Sequence, residues 1–197
     1  MPRKLRPEIA GGFFHIFTRG NLQLPLFRDT LDYQAWLRML ARTVDGFALR
    51  CHAYCAMSNH FHLLIETPEP TRSGGMRHLN GSYAQRFNER YAGSGHVFQS
   101  RYGANLIEGD EQFLETCRYI ELNPVRAGIC DAPHEWRWSS YRTTAGLTQP
   151  PAFLTVDLVL GMFARDPREA QERYRQFVAD GHVQGPGPER IRHASRA

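Results

Sequence analysis

Lysine is almost missing from this sequence. Lys4 stands alone, and every other member of the 24 Lys+Arg is arginine. Arginine offers a flat fork that pairs with phosphate and stacks on bases. The net charge of +4 is therefore compatible with a nucleic-acid partner without requiring one, since base composition of the gene can impose the same bias. Cysteine is scarce too. Cys51, Cys55, Cys117 and Cys130 form no disulfide framework in a chain of 197 residues. No apolar run approaches a membrane-spanning length, and no signal-like apolar core follows the basic start Met1 to Pro7. A cytoplasmic, reducing location is expected. There is no phosphate-cradling glycine motif, which removes the usual sign of a nucleotide cofactor, and no internal repeat. Hydrophobic residues make up 42% of the chain, enough for one core and a small appendage but not for two large domains.

What is present centres on Asn59-His60-Phe61-His62, followed by Leu63-Leu64-Ile65-Glu66. Side chains at i and i+2 of a strand leave the same face. His60 and His62 should then point together, away from Phe61, Leu63 and Ile65. Two neutral imidazoles one pleat apart can hold a divalent metal. The pair alone is weak evidence, because two such histidines also arise as ordinary polar residues. Their spacing is not that of a structural zinc finger, whose paired histidines lie roughly 3–5 residues apart.

In chain order, Phe13 to Thr18 is rich in aromatic and β-branched residues and predicts a first strand, broken by Arg19-Gly20-Asn21. Asp29 or Thr30 caps a helix through Tyr33, Trp36, Leu37, Leu40 and Val44, closed by Gly46. A second strand is expected from Phe47 to Met57, with Leu49, Cys51, Ala53, Cys55 and Met57 on one face. A two-residue turn at Ser58-Asn59 would set Cys55 opposite His62. Thr67-Pro68-Glu69-Pro70 ends the histidine strand. A polar helix follows from Ser73 to Tyr91, with Met76, Leu79, Tyr83 and Phe87 as its apolar stripe. His96 to Ile107 is expected as a fourth strand, and Asp110 as the cap of a helix over Glu111 to Leu122. Strand, helix, strand, strand, helix, strand is the split βαβ arrangement, an α+β ferredoxin-like antiparallel sheet with two helices on one face. The further helix is left to approach the other face.

That helix carries Phe113, Cys117 and Ile120 as its stripe. Tyr119 is expected well away from the stripe, sharing a polar side with Asn123, Gln112 and Glu115. Pro124 disfavours helical geometry at Asn123, so the helix should kink or stop there. Beyond it, Trp136-Arg137-Trp138-Ser139-Ser140-Tyr141-Arg142 interleaves aromatics with arginine. It suits either single-stranded bases and phosphates or a lid of aromatics packed on the core. Gln149-Pro150-Pro151 resembles a linker. Two short helices follow, Val156 to Ala164 and one opened by Asp166-Pro167 that runs through Tyr174 and Phe177 to Gly181. The expected division is a main domain over 6–130, a C-terminal segment over 131–181 and a disordered tail over 182–197.

Ser58-Asn59-His60-Phe61-His62-Leu63-Leu64 resembles the HUH motif (His, hydrophobic, His) of single-tyrosine transposases of bacterial insertion sequences. Arg118-Tyr119-Ile120-Glu121-Leu122-Asn123-Pro124-Val125-Arg126-Ala127-Gly128 resembles the tyrosine helix of their domesticated relatives, the REP-associated tyrosine transposases. Val97 to Tyr102 and Trp138 to Tyr141 are similar to further stretches of that group, and the likeness spans roughly Arg6 to Tyr141. The triplet is weak alone; with the tyrosine segment in the expected order it is specific.

The resemblance implies that His60, His62 and Asn123 ligate Mg²⁺ or Mn²⁺ and that Tyr119 is the nucleophile. It implies a single-stranded DNA substrate with a palindromic hairpin, acted on by a monomer or homodimer. A free phenol titrates near ~10 and is a poor nucleophile at neutral pH, so charge stabilisation at the phosphate fits the chemistry. Attack would give a 5′-phosphotyrosine and a free 3′-hydroxyl, whose rejoining needs no nucleotide cofactor. Arg19, Arg101, Arg118 and Arg126 are candidate phosphate contacts. Three other readings remain open: a DNA-binding regulator without catalysis, an RNA-binding sheet, and a zinc site built from Cys51, Cys55, His60 and His62, whose spacing matches no common zinc knuckle.

Overall fold

The computed structural model describes residues 8–181. The expected tail over 182–197 and the basic start through Pro7 lie outside the described residues. Four strands form one antiparallel sheet: β1 (Gly12–Arg19), β2 (Arg50–Ala56), β3 (His60–Thr67) and β4 (Gly103–Ile107). Their spatial order is β2-β3-β1-β4, as the split βαβ pattern requires.

The alternation expected of the histidine strand holds. Phe61, Leu63 and Ile65 enter a core shared with α1 (Thr30–Gly46) and α2 (Arg72–Tyr91), through Trp36, Leu40, Met76, Leu79 and Tyr83. Leu64 enters a second core on the opposite face. There it meets α3 (Asp110–Glu121), α6 (Asp157–Gly161) and α7 (Pro167–Asp180) through Phe113, Cys117, Ile120, Val159 and Tyr174. Asp29 caps α1, accepting from the N–H groups of Leu31 and Asp32, and Asp166 caps α7, accepting from those of Arg168 and Glu169. The Ser58-Asn59 turn sets Cys55 opposite His62. Among the described residues no helix is long and apolar enough to cross a membrane.

Several local expectations are corrected. Residues 96–102 do not extend β4. Gln99 N–H donates to Arg19 O at 3.0 Å and Asn21 N–H donates to Val97 O at 2.8 Å, so this segment hooks across the end of β1. β2 starts at Arg50, not Phe47, because Phe47 is the C-cap of α1 and Ala48 turns the chain at φ 50°. Asp110 is the first residue of α3, and Gly109, at φ 107°, holds the N-cap position. A β-bulge between Cys51 and Ala53 inserts His52 and shifts the phase of the strand. Cys51 therefore packs in the first core and Cys55 in the second. That divides the two thiols of the alternative zinc set between the faces of the sheet.

Pairing between β1 and β4 sets Phe17 opposite Gly103. A methyl on Gly103 would lie 2.1 Å from Phe17 Cζ, so the Phe17 ring lies across the bare glycine. Gly103→Ala is expected to cost about 1–3 kcal/mol of stability as that ring is displaced. In thermal melts, the double variant with Phe17→Ala should lose less than the sum of the two single changes.

Candidate active site

The site lies on the α3 side of the sheet. Its floor comes from period 2 on two adjacent strands: Phe13, His15 and Phe17 on β1, His60 and His62 on β3. His62 and His60 have ring centroids 5.1 Å apart at an interplanar angle of 87°. His62 is 1% exposed and His60 half-buried. A third imidazole, missed in the sequence, completes the row. His15 is 2% exposed, stacks on His62 at 5.1 Å, and places its Nε2 3.0 Å from His62 Nδ1. Burial pushes His15 down to about 4 and His62 well below the usual imidazole range, with the neighbouring His15, His60 and Arg19 adding to the His62 shift. Both rings are neutral at physiological pH, the state in which imidazole ligates a metal.

α3 brings Tyr119 onto this row. Its half-buried ring meets His62 edge-on at 5.5 Å and His15 at 5.7 Å. The phenol is thus not directed well away from the apolar stripe; it packs at the stripe's margin, against the imidazoles of its own chain. Asn123 opens the short α4 (Asn123–Arg126), where Pro124 breaks the line of α3. Its Nδ2 donates to Tyr119 O at 3.4 Å, which keeps the amide one turn beyond the phenol. His62 Nε2 is buried with no hydrogen-bond partner. An orphaned imidazole nitrogen beside a second imidazole fits a divalent cation. Among the described residues no three His, Cys, Asp or Glu side chains form a cluster able to hold an ion. A cation there would draw its further ligands from groups of another kind.

The four arginines fare differently. Arg19 ends β1 directly opposite His60 and is exposed. Arg101 is exposed just before β4. Arg126 is exposed, with its guanidinium carbon 5.6 Å from the Tyr119 ring centroid and Nη2 donating to Gly181 O at 3.3 Å. Arg118 is buried between α3 and α7. It pairs with Glu115, donates to Phe177 O at 3.2 Å and covers the Phe177 ring at 4.3 Å.

The helix bearing the phenol is bolted from behind. Glu121 is fully buried; its Oε1 accepts from Ser140 Oγ at 2.6 Å and from Tyr174 Oη at 3.4 Å. The Trp136 to Arg142 segment, which leads into the short α5 (Tyr141–Thr144), is a brace, not a base-stacking surface. Trp138 stacks on Tyr33 at 4.5 Å, Trp136 Nε1 donates to Ala56 O at 3.0 Å, and Ser140 N–H donates to Tyr54 O at 2.9 Å. Glu121 carried a signal in the sequence, since it falls at i+4 and i+8 of Cys117 and Phe113, on the apolar stripe.

The profile of the family described as "Transposase IS200 like" matches residues 12–123, more than half of the chain. The chain belongs to the IS200-like transposase family. The match starts at β1 and ends on Asn123, so it spans the histidine row and the tyrosine helix. A Haemophilus influenzae protein named for the REP-associated tyrosine transposases is 27% identical over 112 residues, covering 51% of this chain. The chain spans 63% of that relative's length. A solved REP-associated tyrosine transposase bound to a REP hairpin shares the fold, with a TM-score of 0.64, 18% identity and coverage of 79% of this chain and 92% of that one. A Deinococcus radiodurans protein assigned to the transposases aligns at a TM-score of 0.43, with 16% identity over 64% of this chain and 92% of that one.

Proposed function

We propose that this IS200-like transposase nicks and rejoins single-stranded DNA next to a hairpin, by attack of Tyr119 on a phosphodiester. The observation that carries the reading is the Tyr119 ring packed against His62 at 5.5 Å within one chain. His60 and His62, joined by the Asn123 amide oxygen, would hold Mg²⁺ or Mn²⁺. Bound there, a divalent cation supplies positive field against the charge that develops on the phosphate during attack. Two imidazoles and an amide bring no negative charge, so that field is undiminished.

The Tyr119 hydroxyl bonds to phosphorus as the bond to the 3′-oxygen breaks. The phenolic proton leaves and the departing 3′-oxygen gains one. The products are a 5′-phosphotyrosine and a 3′-hydroxyl, and rejoining is the reverse step. Arg126, beside the phenol, and Arg19, beside His60, are proposed to hold the phosphates that flank the cleaved bond, with Arg101 contacting the strand further out. Arg118 is left out, because its guanidinium is spent between α3 and α7.

An RNA-binding sheet has less support. That mode needs an open sheet face for stacked bases, whereas α3 covers β2 and β3 on one side and α1 and α2 cover the other. The test is incubation of the protein with end-labelled, hairpin-bearing single strands and Mn²⁺, followed by denaturing electrophoresis. A covalent protein–DNA adduct that EDTA abolishes is the expected result. Binding without any adduct would make the protein a regulator, and an EDTA-insensitive adduct would remove the metal from the reaction.

A further inference from the structure

Each imidazole of the HUH pair has a polar partner on its Nδ1. Asn59 Nδ2 donates to Gln23 O at 3.1 Å, which turns Asn59 Oδ1 toward His60 Nδ1, 2.7 Å away. An amide oxygen can only accept, so His60 carries its proton on Nδ1 and its lone pair on Nε2. His62 offers two arrangements. With the proton on Nε2, a buried N–H would be left without an acceptor, because Nε2 has no partner. With the proton on Nδ1, His62 donates to His15 Nε2 across the 3.0 Å contact, and the buried Nε2 presents a lone pair, which a cation can satisfy where an N–H would repel it.

We infer that His15 and Asn59 are positioning residues that hold both histidines in the Nδ1–H tautomer, so that the two Nε2 lone pairs are set for one cation. The inference rests on the metal site proposed above and adds the residues that prepare it. His15 is itself no ligand, since its Nε2 is engaged by His62. Its place on β1 is rigid: His15 pairs with Leu64 on β3 and Asn105 on β4, and the ring is enclosed by Phe17, His62 and Tyr119. Outer partners of this kind fix ring orientation and ligand basicity, and their loss weakens metal binding about 10–100-fold.

The test has two readouts on purified full-length protein. In the metal-free protein, long-range ¹H–¹⁵N spectra should show His60 and His62 both protonated on Nδ1. In Mn²⁺ titrations followed by the EPR signal of the free ion, His15→Phe should bind about 10–100-fold more weakly than wild type. His15→Gln, which keeps an acceptor at that position, should stay close to wild type. Asn59→Ala should weaken binding in the same direction. The inference is overturned if His62 carries its proton on Nε2 in the wild type, or if folded His15→Phe binds Mn²⁺ as the wild type does. Wild-type protein that binds no Mn²⁺ would instead overturn the metal site, and the tautomer spectra would still judge His15 by themselves.

Discussion

Tyr119→Phe is expected to lower the yield of covalent protein–DNA adduct at least about 1,000-fold while leaving affinity for the same hairpin-bearing strand within a factor of about 3. The substitution removes one oxygen and nothing else. The ring makes edge-on contacts with His62 and His15 and lies near the Arg126 guanidinium, and phenylalanine can keep all three. The fold should be retained, which a thermal melt would verify. A variant that still forms adducts would mean that another side chain attacks the phosphate. Placement of the phenol beside its own imidazoles also predicts that mixing Tyr119→Phe with a His60→Ala variant restores little cleavage. Strong restoration would require the tyrosine to act in a partner's site.

The second large effect concerns stability and pH. Burial raises the Glu121 carboxyl to about 8, against hydrogen bonds from Ser140, Ser139, Tyr141 and Tyr174 that favour the ionised form. The folded state therefore holds the proton more tightly than the unfolded state does. The stability this contributes is complete below the unfolded value near 4.5 and fades as pH rises toward 8. The depressed histidines, His15, His52 and His62, act in the opposite sense, removing stability as pH falls below their ordinary value near 6.5. At pH 6.5 an unfolded imidazole is still half protonated, so the two windows overlap, and Glu121→Gln separates them: it keeps the shape, cannot ionise and retains the histidines. Between pH 6.5 and 8 the wild type should lose roughly 2 kcal/mol relative to that variant, at about 1.4 kcal/mol per pH unit at most. Denaturant unfolding of both proteins at a series of pH values reads this difference directly. A wild-type curve parallel to that of the variant would mean that Glu121 is ionised in the fold at no cost.

How far the sequence could be followed depended on the range of the interaction involved. Local pattern was enough for the order of elements, for Asp29 and Asp166 as helix caps, and for the face on which His60 and His62 emerge. The Cys55–His62 pairing followed only on the condition that the turn has two residues, a length the sequence does not fix. The bulge at His52 was not legible, since Leu49 to Cys55 alternates without a break in the sequence, and the shift shows only in the pairing with β3. His15 escaped notice for a related reason. Its face is evident from β1 alone, but its meeting with His62 depends on a pairing between strands 47 residues apart, whose register no turn dictates. Tyr119 and Asn123 were singled out through resemblance and spacing. The direction of the phenol was misjudged, because helical periodicity orders residues around an axis without telling how the axis lies on the sheet. Arg118 likewise looked like a surface cation until α7 was seen to cover it.

The Glu121 bolt bears on where the chain can be cut. The family match ends at residue 123, which invites a shorter chain trimmed near residue 130. Such a fragment would lose the Ser140 hydroxyl and the Tyr174 phenol, and it would open the apolar side of α3 to water. What is left would be a carboxyl set in a wetted apolar face, on the far side of the helix from Tyr119. The helices that follow are thus as necessary to the seating of that tyrosine as a handle's rivet is to its blade.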